Sequence, residues 1–278
     1  MAVVLWRQAR DAGSGAVLKV RNFYGVLTVF EQRKTEPQDH HFLLQHGRIT
    51  HGLQFADKEM AKWATSYYGP ESGIGLGINA LPAGPRRIGA VGLGTGSITV
   101  YGRSGDTFRI YEINPQVKAL ATSRFTYLGD CQAKVEIVPG DARLSMERES
   151  PQGLDMLVLD AFSGDAIPVH LLTAEAFEQY NRHLKPGGII AIHISNRYLD
   201  LEPVVVNAAK RFHYNLAPID FEEDEDEWWL YGCTWILLSR DEKVFRSESI
   251  RTAVYTAKAD PRVALWTDDF ASLFSILK

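Results

Sequence analysis

Ile88-Gly89-Ala90-Val91-Gly92-Leu93-Gly94-Thr95-Gly96-Ser97 carries a short apolar strand straight into three glycines at alternate positions. Glycine opens backbone conformations closed to other residues and removes the side chain that would hold a ligand off the chain. A strand followed by such a turn is the start of a nucleotide-binding fold. The third glycine falls at 96 and not 97, so the pattern is G-x-G-x-G rather than the G-x-G-x-x-G of dinucleotide enzymes. Gly92, Gly94, Thr95 and Gly96 are therefore candidate nucleoside contacts.

The flanking sequence is ordered around this turn. Residues 107–113 read as a second buried strand that closes on Glu112 and Ile113, with Glu112 twenty positions past Gly92. An acid at that place is positioned for a ribose diol, because a carboxylate offers acceptors and no donor to two hydroxyls. A third strand, 135–138, leads to Gly140-Asp141-Ala142. A fourth, 156–159, ends on Asp160, and a fifth, 189–194, follows the turn Lys185-Pro186-Gly187-Gly188. Any one acid at a strand end is ordinarily a loop residue or a helix cap. Three of them, spaced by apolar strands, fall where open parallel sheets bind ligands and point to a nucleoside site.

The chain has 278 residues, 45% of them hydrophobic, which suits one large α/β unit with a small appendage. A net charge of −4 gives no basic surface for nucleic acid. No apolar run approaches the roughly 20 residues of a membrane span, no signal peptide is evident, and two cysteines make neither a disulfide framework nor a metal quartet. The expected location is the cytoplasm. The sequence divides near residue 80. Residues 1–80 hold strand-like runs at 16–20, 24–30, 42–46 and 49–55, broken as hairpins are, and a linking helix. In 81–278, apolar strands alternate with helices at 116–127, 174–184 and 203–211, followed by strands at 215–219 and 234–239. The expected fold is a Rossmann-like, mainly parallel sheet with helices on both faces, preceded by the hairpin unit.

Other features carry less. Glu222 to Glu227 are six consecutive carboxylates followed by Trp228, Trp229 and Tyr231. Such a run is usually a solvated loop; the alternative is an attractor for a cationic substrate, with the aromatics supplying cation–π contacts. His40, His41, His46 and His51 match no standard metal spacing, so no metal is expected. His170 and His193 read as structural, and Ser163 sits in no nucleophile elbow.

The quoted motifs resemble the polyamine aminopropyltransferase (spermidine synthase-like) family over residues 24–277, and within it the domains often fused to membrane segments. The matching pieces are Arg21-Asn22-Phe23-Tyr24-Gly25, His46-Gly47-Arg48-Ile49-Thr50-His51-Gly52, Thr65-Ser66-Tyr67-Tyr68-Gly69-Pro70-Glu71-Ser72-Gly73, the glycine turn, Leu159-Asp160-Ala161-Phe162-Ser163-Gly164-Asp165-Ala166-Ile167-Pro168, and Trp266-Thr267-Asp268-Asp269-Phe270. The resemblance implies a class I methyltransferase fold with a seven-stranded sheet and an adenosyl-sulfonium co-substrate, S-adenosylmethionine or its decarboxylated form. It implies a small amine or polyamine acceptor, a homodimer, and a cytoplasmic place or, in a longer parent, the cytoplasmic face of a membrane. By the same resemblance Glu112 holds ribose, Asp141 and Ala142 meet adenine, and Asp160 accepts hydrogen bonds from the attacking amine. Tyr68 and Tyr67 face the reacting centre, and His51, Gln54, Asp165 and Tyr231 line the substrate side.

Two departures qualify the reaction. The family places an aspartate where Thr95 stands, and a threonine cannot neutralise an ammonium, which favours ordinary S-adenosylmethionine. Asp165 follows Asp160 by five positions, where the family has three. Three functions stay open: aminopropyl transfer releasing 5′-methylthioadenosine; methyl transfer or use of the aminocarboxypropyl arm, including cyclisation; and a non-catalytic nucleoside sensor.

Overall fold

A computed structural model describes residues 15–161 and 168–278. Four antiparallel strands come first: β1 (Ala16–Asn22), β2 (Gly25–Gln32), β3 (His41–His46) and β4 (Ile49–Phe55), paired in chain order. The β1–β2 turn is tight because Asn22 Oδ1 accepts the Tyr24 amide at 3.0 Å, a side chain standing in for backbone.

Helix α1 (Gly73–Asn79), capped by Ser72 Oγ on the Gly75 amide, then crosses to the second sheet. Its three glycines are poor helix formers. Their absence of side chains is what seats the helix: a Cβ on Gly73 would lie 2.5 Å from that of Trp235, and one on Gly77 3.1 Å from Leu237 and Met156.

The second sheet has seven strands in the order β10-β11-β9-β8-β5-β6-β7. They are β5 (Arg87–Val91), β6 (Thr107–Glu112), β7 (Lys134–Pro139), β8 (Leu154–Leu159), β9 (Leu184–His193), β10 (Asn215–Phe221) and β11 (Cys233–Ser239). Pairs among β5 to β9 are parallel, whereas β11 runs antiparallel to both β9 and β10. Central residues such as Ile88, Ala90, Ile110, Val158 and Ala191 are fully covered, as a two-faced sheet requires. One face packs on α1, on α2 (Pro115–Arg124) and on the later helix α7 (Glu248–Ala253) through Ile78, Leu120 and Ile250. The other packs on α4 (Ala142–Arg148), α5 (Ala174–His183) and α6 (Glu202–Phe212) through Met146, Phe177 and Val205. This is the α/β architecture expected from sequence.

Two local expectations differ. The helix expected over 116–127 stops at Arg124, because Phe125 turns extended, and a short α3 (Tyr127–Asp130) restarts it. Gln54 causes the break: its Oε1 accepts the Thr126 amide at 2.9 Å, and its Nε2 donates to Thr126 Oγ1 and the Ala61 carbonyl at 3.0 Å. The turn expected at 185–188 lies within β9. No helix among the described residues is long and apolar enough to cross a membrane.

Candidate active site

The carboxyl ends of β5, β6, β7 and β8 meet around one cavity of about 250 Å³. Gly92 (φ 100°) and Gly94 (φ 52°) take backbone conformations that disfavour any side chain. They also admit close neighbours: a Cβ on Gly92 would lie 2.2 Å from the Asp160 carbonyl, and one on Gly94 2.5 Å from that of His51. Glu112 stands on the cavity wall. Its Oε2 accepts the Leu93 amide at 2.9 Å and its Oε1 the Asn114 amide at 2.7 Å, which leaves a lone pair on each oxygen for a diol. Burial raises its carboxyl above the ordinary range, and the two amides pull it back. Asp141 Oδ1 caps α4 at the Leu144 amide, 2.9 Å, while Oδ2 pairs with His170 Nε2 at 2.8 Å. Ile113, Asp141 and Ala142 line the same cavity, and so does His170, which sequence had marked only as structural.

A second, wider cavity of about 570 Å³ opens beside the first, and the two share His51, Tyr67 and Asp160. Asp160 is fixed from two sides. Tyr68 donates its hydroxyl to Oδ2 at 2.6 Å, and His193 Nδ1 bonds Oδ1 at 2.8 Å. Burial works against the charge, but the bonds from His193 and Tyr68 win and hold the carboxyl below its usual value. The roles of the two tyrosines are thus divided. Tyr67 faces both cavities, while Tyr68 lies behind Asp160 and lines neither. His51 stands at the junction with Nε2 buried and unpartnered; burial, then the neighbouring His46, lowers it to about 4, so it is neutral at pH 7.

Several sequence expectations are corrected. Thr95 is fully buried and does not line the cavity: its Oγ1 bonds Ser97 Oγ at 2.6 Å beneath Gly52. Gly96 likewise lies off the cavity, where it opens the turn at 97–101. Gln54 lines neither cavity and is the structural link already described. Tyr231 is bound through its amide to Ser66 and sits one residue outside the lining at Gly232. Asp165 and Ser163 lie outside the described residues.

The acidic run divides. Glu222 and Glu223 line the wider cavity with Asp220, whereas Trp228 packs on His41 and Phe55 under Arg33, and Trp229 on Trp63. Those indoles are committed to structure and not free for a substrate cation. Sequence reasoning also missed Ser195, which lines the wider cavity and whose Oγ bonds His193 Nε2 at 2.9 Å.

The architecture aligns with solved structures. A probable spermidine synthase from Corynebacterium glutamicum superposes with a TM-score of 0.62 at 20% identity, over 85% of each chain. Spermidine synthase from Thermotoga maritima gives 0.58 at 14% identity, over 88% of this chain and 80% of that one. The fold is that of the spermidine synthases. A spermidine synthase bound to the transition-state analogue AdoDATO matches equally well, at 0.58 and 14% identity. In sequence, the chain is 34% identical to the polyamine aminopropyltransferase of Vibrio vulnificus over 113 residues, 38% of this chain and 36% of that protein. The match thus spans little more than a third of the curated relative. No family model matches the sequence.

Proposed function

We propose that this spermidine synthase-fold chain transfers the aminopropyl arm of decarboxylated S-adenosylmethionine to a small amine and releases 5′-methylthioadenosine. The observation that carries this reading is the meeting of two cavities on the Asp160 carboxylate. The narrower one, with Glu112 and Asp141, suits the nucleoside. The wider one, with Asp220, Glu222 and Glu223 beside Arg197 and Lys278, has an excess of acids that attracts a cationic amine.

The sulfonium carbon needs no further activation. The amine lone pair attacks the arm's CH2 that is bonded to sulfur, the C–S bond breaks, and its electron pair stays on sulfur as a neutral thioether. Placing the two reactants in line supplies much of the acceleration. Asp160 anchors the incoming ammonium in line with the arm, and removal of the amine's proton by a positioned base is worth about 10²- to 10⁴-fold.

The lining of the nucleoside cavity supports the decarboxylated donor. Among the described residues its lining holds Glu112, Asp141 and Asp160 with three histidines and no lysine or arginine. An arm ending in an ammonium suits that field, and an arm carrying a carboxylate is repelled by it. Thr95, whose identity had favoured the carboxylated donor, does not line this cavity and is bonded to Ser97.

Incubating the protein with either donor and 1,4-diaminobutane, then identifying the nucleoside formed, tests this directly. The expected product is 5′-methylthioadenosine from the decarboxylated donor. S-Adenosylhomocysteine would mean methyl transfer instead, and tight binding with no product would mean a sensor.

A further inference from the structure

Resting on that reading, we propose that Ser195, His193 and Asp160 form a proton relay, in which the proton shed by the acceptor amine passes through the Ser195 hydroxyl to His193.

The directions are fixed by one obligate acceptor. The Asp160 carboxylate can only accept, so His193 Nδ1 carries the hydrogen it gives to Oδ1 at 2.8 Å. In the neutral ring Nε2 is then the acceptor, and Ser195, whose Oγ takes the Thr234 amide at 2.8 Å, donates its hydroxyl to Nε2 at 2.9 Å. The chain starts at the wall of the wider cavity, since Ser195 and His193 both line it, and ends on the carboxylate shared with the nucleoside cavity.

The ring is held for this task and for no rotation. His193 lies between Tyr67, at 4.6 Å and 30°, and Trp235, at 4.7 Å and 15°. Two aromatic faces and a carboxylate thus meet the positive charge as it arrives on the imidazole. The other ionisable groups lining this cavity are His51, Tyr67, Cys233, the acids Asp220, Glu222 and Glu223, and the cations Arg197 and Lys278. His51 is neutral, burial pushes the Cys233 thiol up to about 12, and Tyr67 is held well above its usual value, so none of these three competes for the proton near pH 7.

The step balances. An acceptor R–NH3+ gives one proton to Ser195 Oγ as Ser195 passes its own to Nε2, which leaves R–NH2, a neutral serine and an imidazolium. Attack then yields R–NH2+–CH2 and the thioether. The imidazolium returns its proton to solvent through the wider cavity.

The test is the single-turnover rate of methylthioadenosine formation from decarboxylated S-adenosylmethionine and 1,4-diaminobutane, for wild type, His193→Gln and Ser195→Ala, between pH 7 and pH 10. Both variants are expected to be slowed about 10²-fold at pH 7, and the deficit is expected to shrink to a few-fold at pH 10, where roughly a third of the amine already arrives as free base. Ser195→Ala touches no core packing and covers the case in which His193→Gln misfolds. A deficit that stays constant with pH, or no deficit, overturns the relay and leaves His193 as packing. A wild type that forms no methylthioadenosine overturns the transfer reading, and the relay with it.

Discussion

Asp160 lines both cavities, and its surroundings say what its replacement should do if it serves the proposed transfer. Asparagine keeps the shape and one acceptor but loses the charge that Tyr68 and His193 hold in place. Asp160→Asn is expected to cut turnover by at least 10²-fold and to leave nucleoside affinity, read by calorimetric titration, within a few-fold. Equal loss of both would make it a binding residue. Glu112→Ala should weaken the nucleoside by an order of magnitude, since it removes the proposed diol acceptor and releases the Leu93 and Asn114 amides. Unchanged affinity would remove ribose from its role. His51 makes a separate prediction about pH. Its folded value of about 4 lies below the ordinary 6.5, so the unfolded chain binds the proton more readily. Stability is therefore full above about 6.5 and falls as pH drops toward about 4, by on the order of 3 kcal/mol. Urea titrations of His51→Asn should show a flatter acid limb than wild type, and parallel limbs would refute this. Strand-end acids such as Asp160 and Glu112 were legible in sequence because a parallel sheet places its ligands there. His193 was not, because an alternating residue in an apolar strand looks like core until its ring nitrogens find Asp160 and Ser195.

The ends of the strands are held by charge as well as by pairing. Arg86, just before β5, donates from its amide to Asp106 Oδ1 at 2.8 Å, and its guanidinium pairs with Oδ2 at 2.5 Å, both side chains almost fully buried. Burial alone would raise the Asp106 carboxyl, but the bonds from Arg86 lower it. Its stabilising contribution is therefore present above the ordinary carboxylate value and lost as pH falls through the lower folded one. Asp106→Ala should cost about 3–5 kcal/mol in chemical denaturation, because Arg86 is left buried without its partner. A loss under 1 kcal/mol would show that water replaces the carboxylate. Most elements were legible at this scale, since β4 to β8 follow apolar runs bounded by Gly, Pro or Asp. The break between α2 and α3 was not. It depends on Gln54, whose side chain reaches Thr126 across 72 positions of sequence, and no local pattern encodes such a bond.

Across the whole molecule, the small sheet is fastened over the glycine turn. Asn22 Nδ2 bonds Asn114 Oδ1 at 2.6 Å, Gln54 holds Thr126, and the carbonyl of His51 lies against Gly94. Gly52, at φ 143°, leaves room for Thr95: a Cβ there would fall 2.2 Å from its hydroxyl. The orientation of Thr95 is thus decided by a strand more than forty residues earlier, which is why sequence assigned it to the ligand. The two cavities also have a kinetic meaning. They share a wall of His51, Tyr67 and Asp160; on the proposed transfer, donor and acceptor are resident together, the arm crosses between them directly and no covalent enzyme intermediate forms. Initial-velocity plots at varied donor and acceptor should therefore intersect rather than run parallel, and methylthioadenosine should compete with the donor alone.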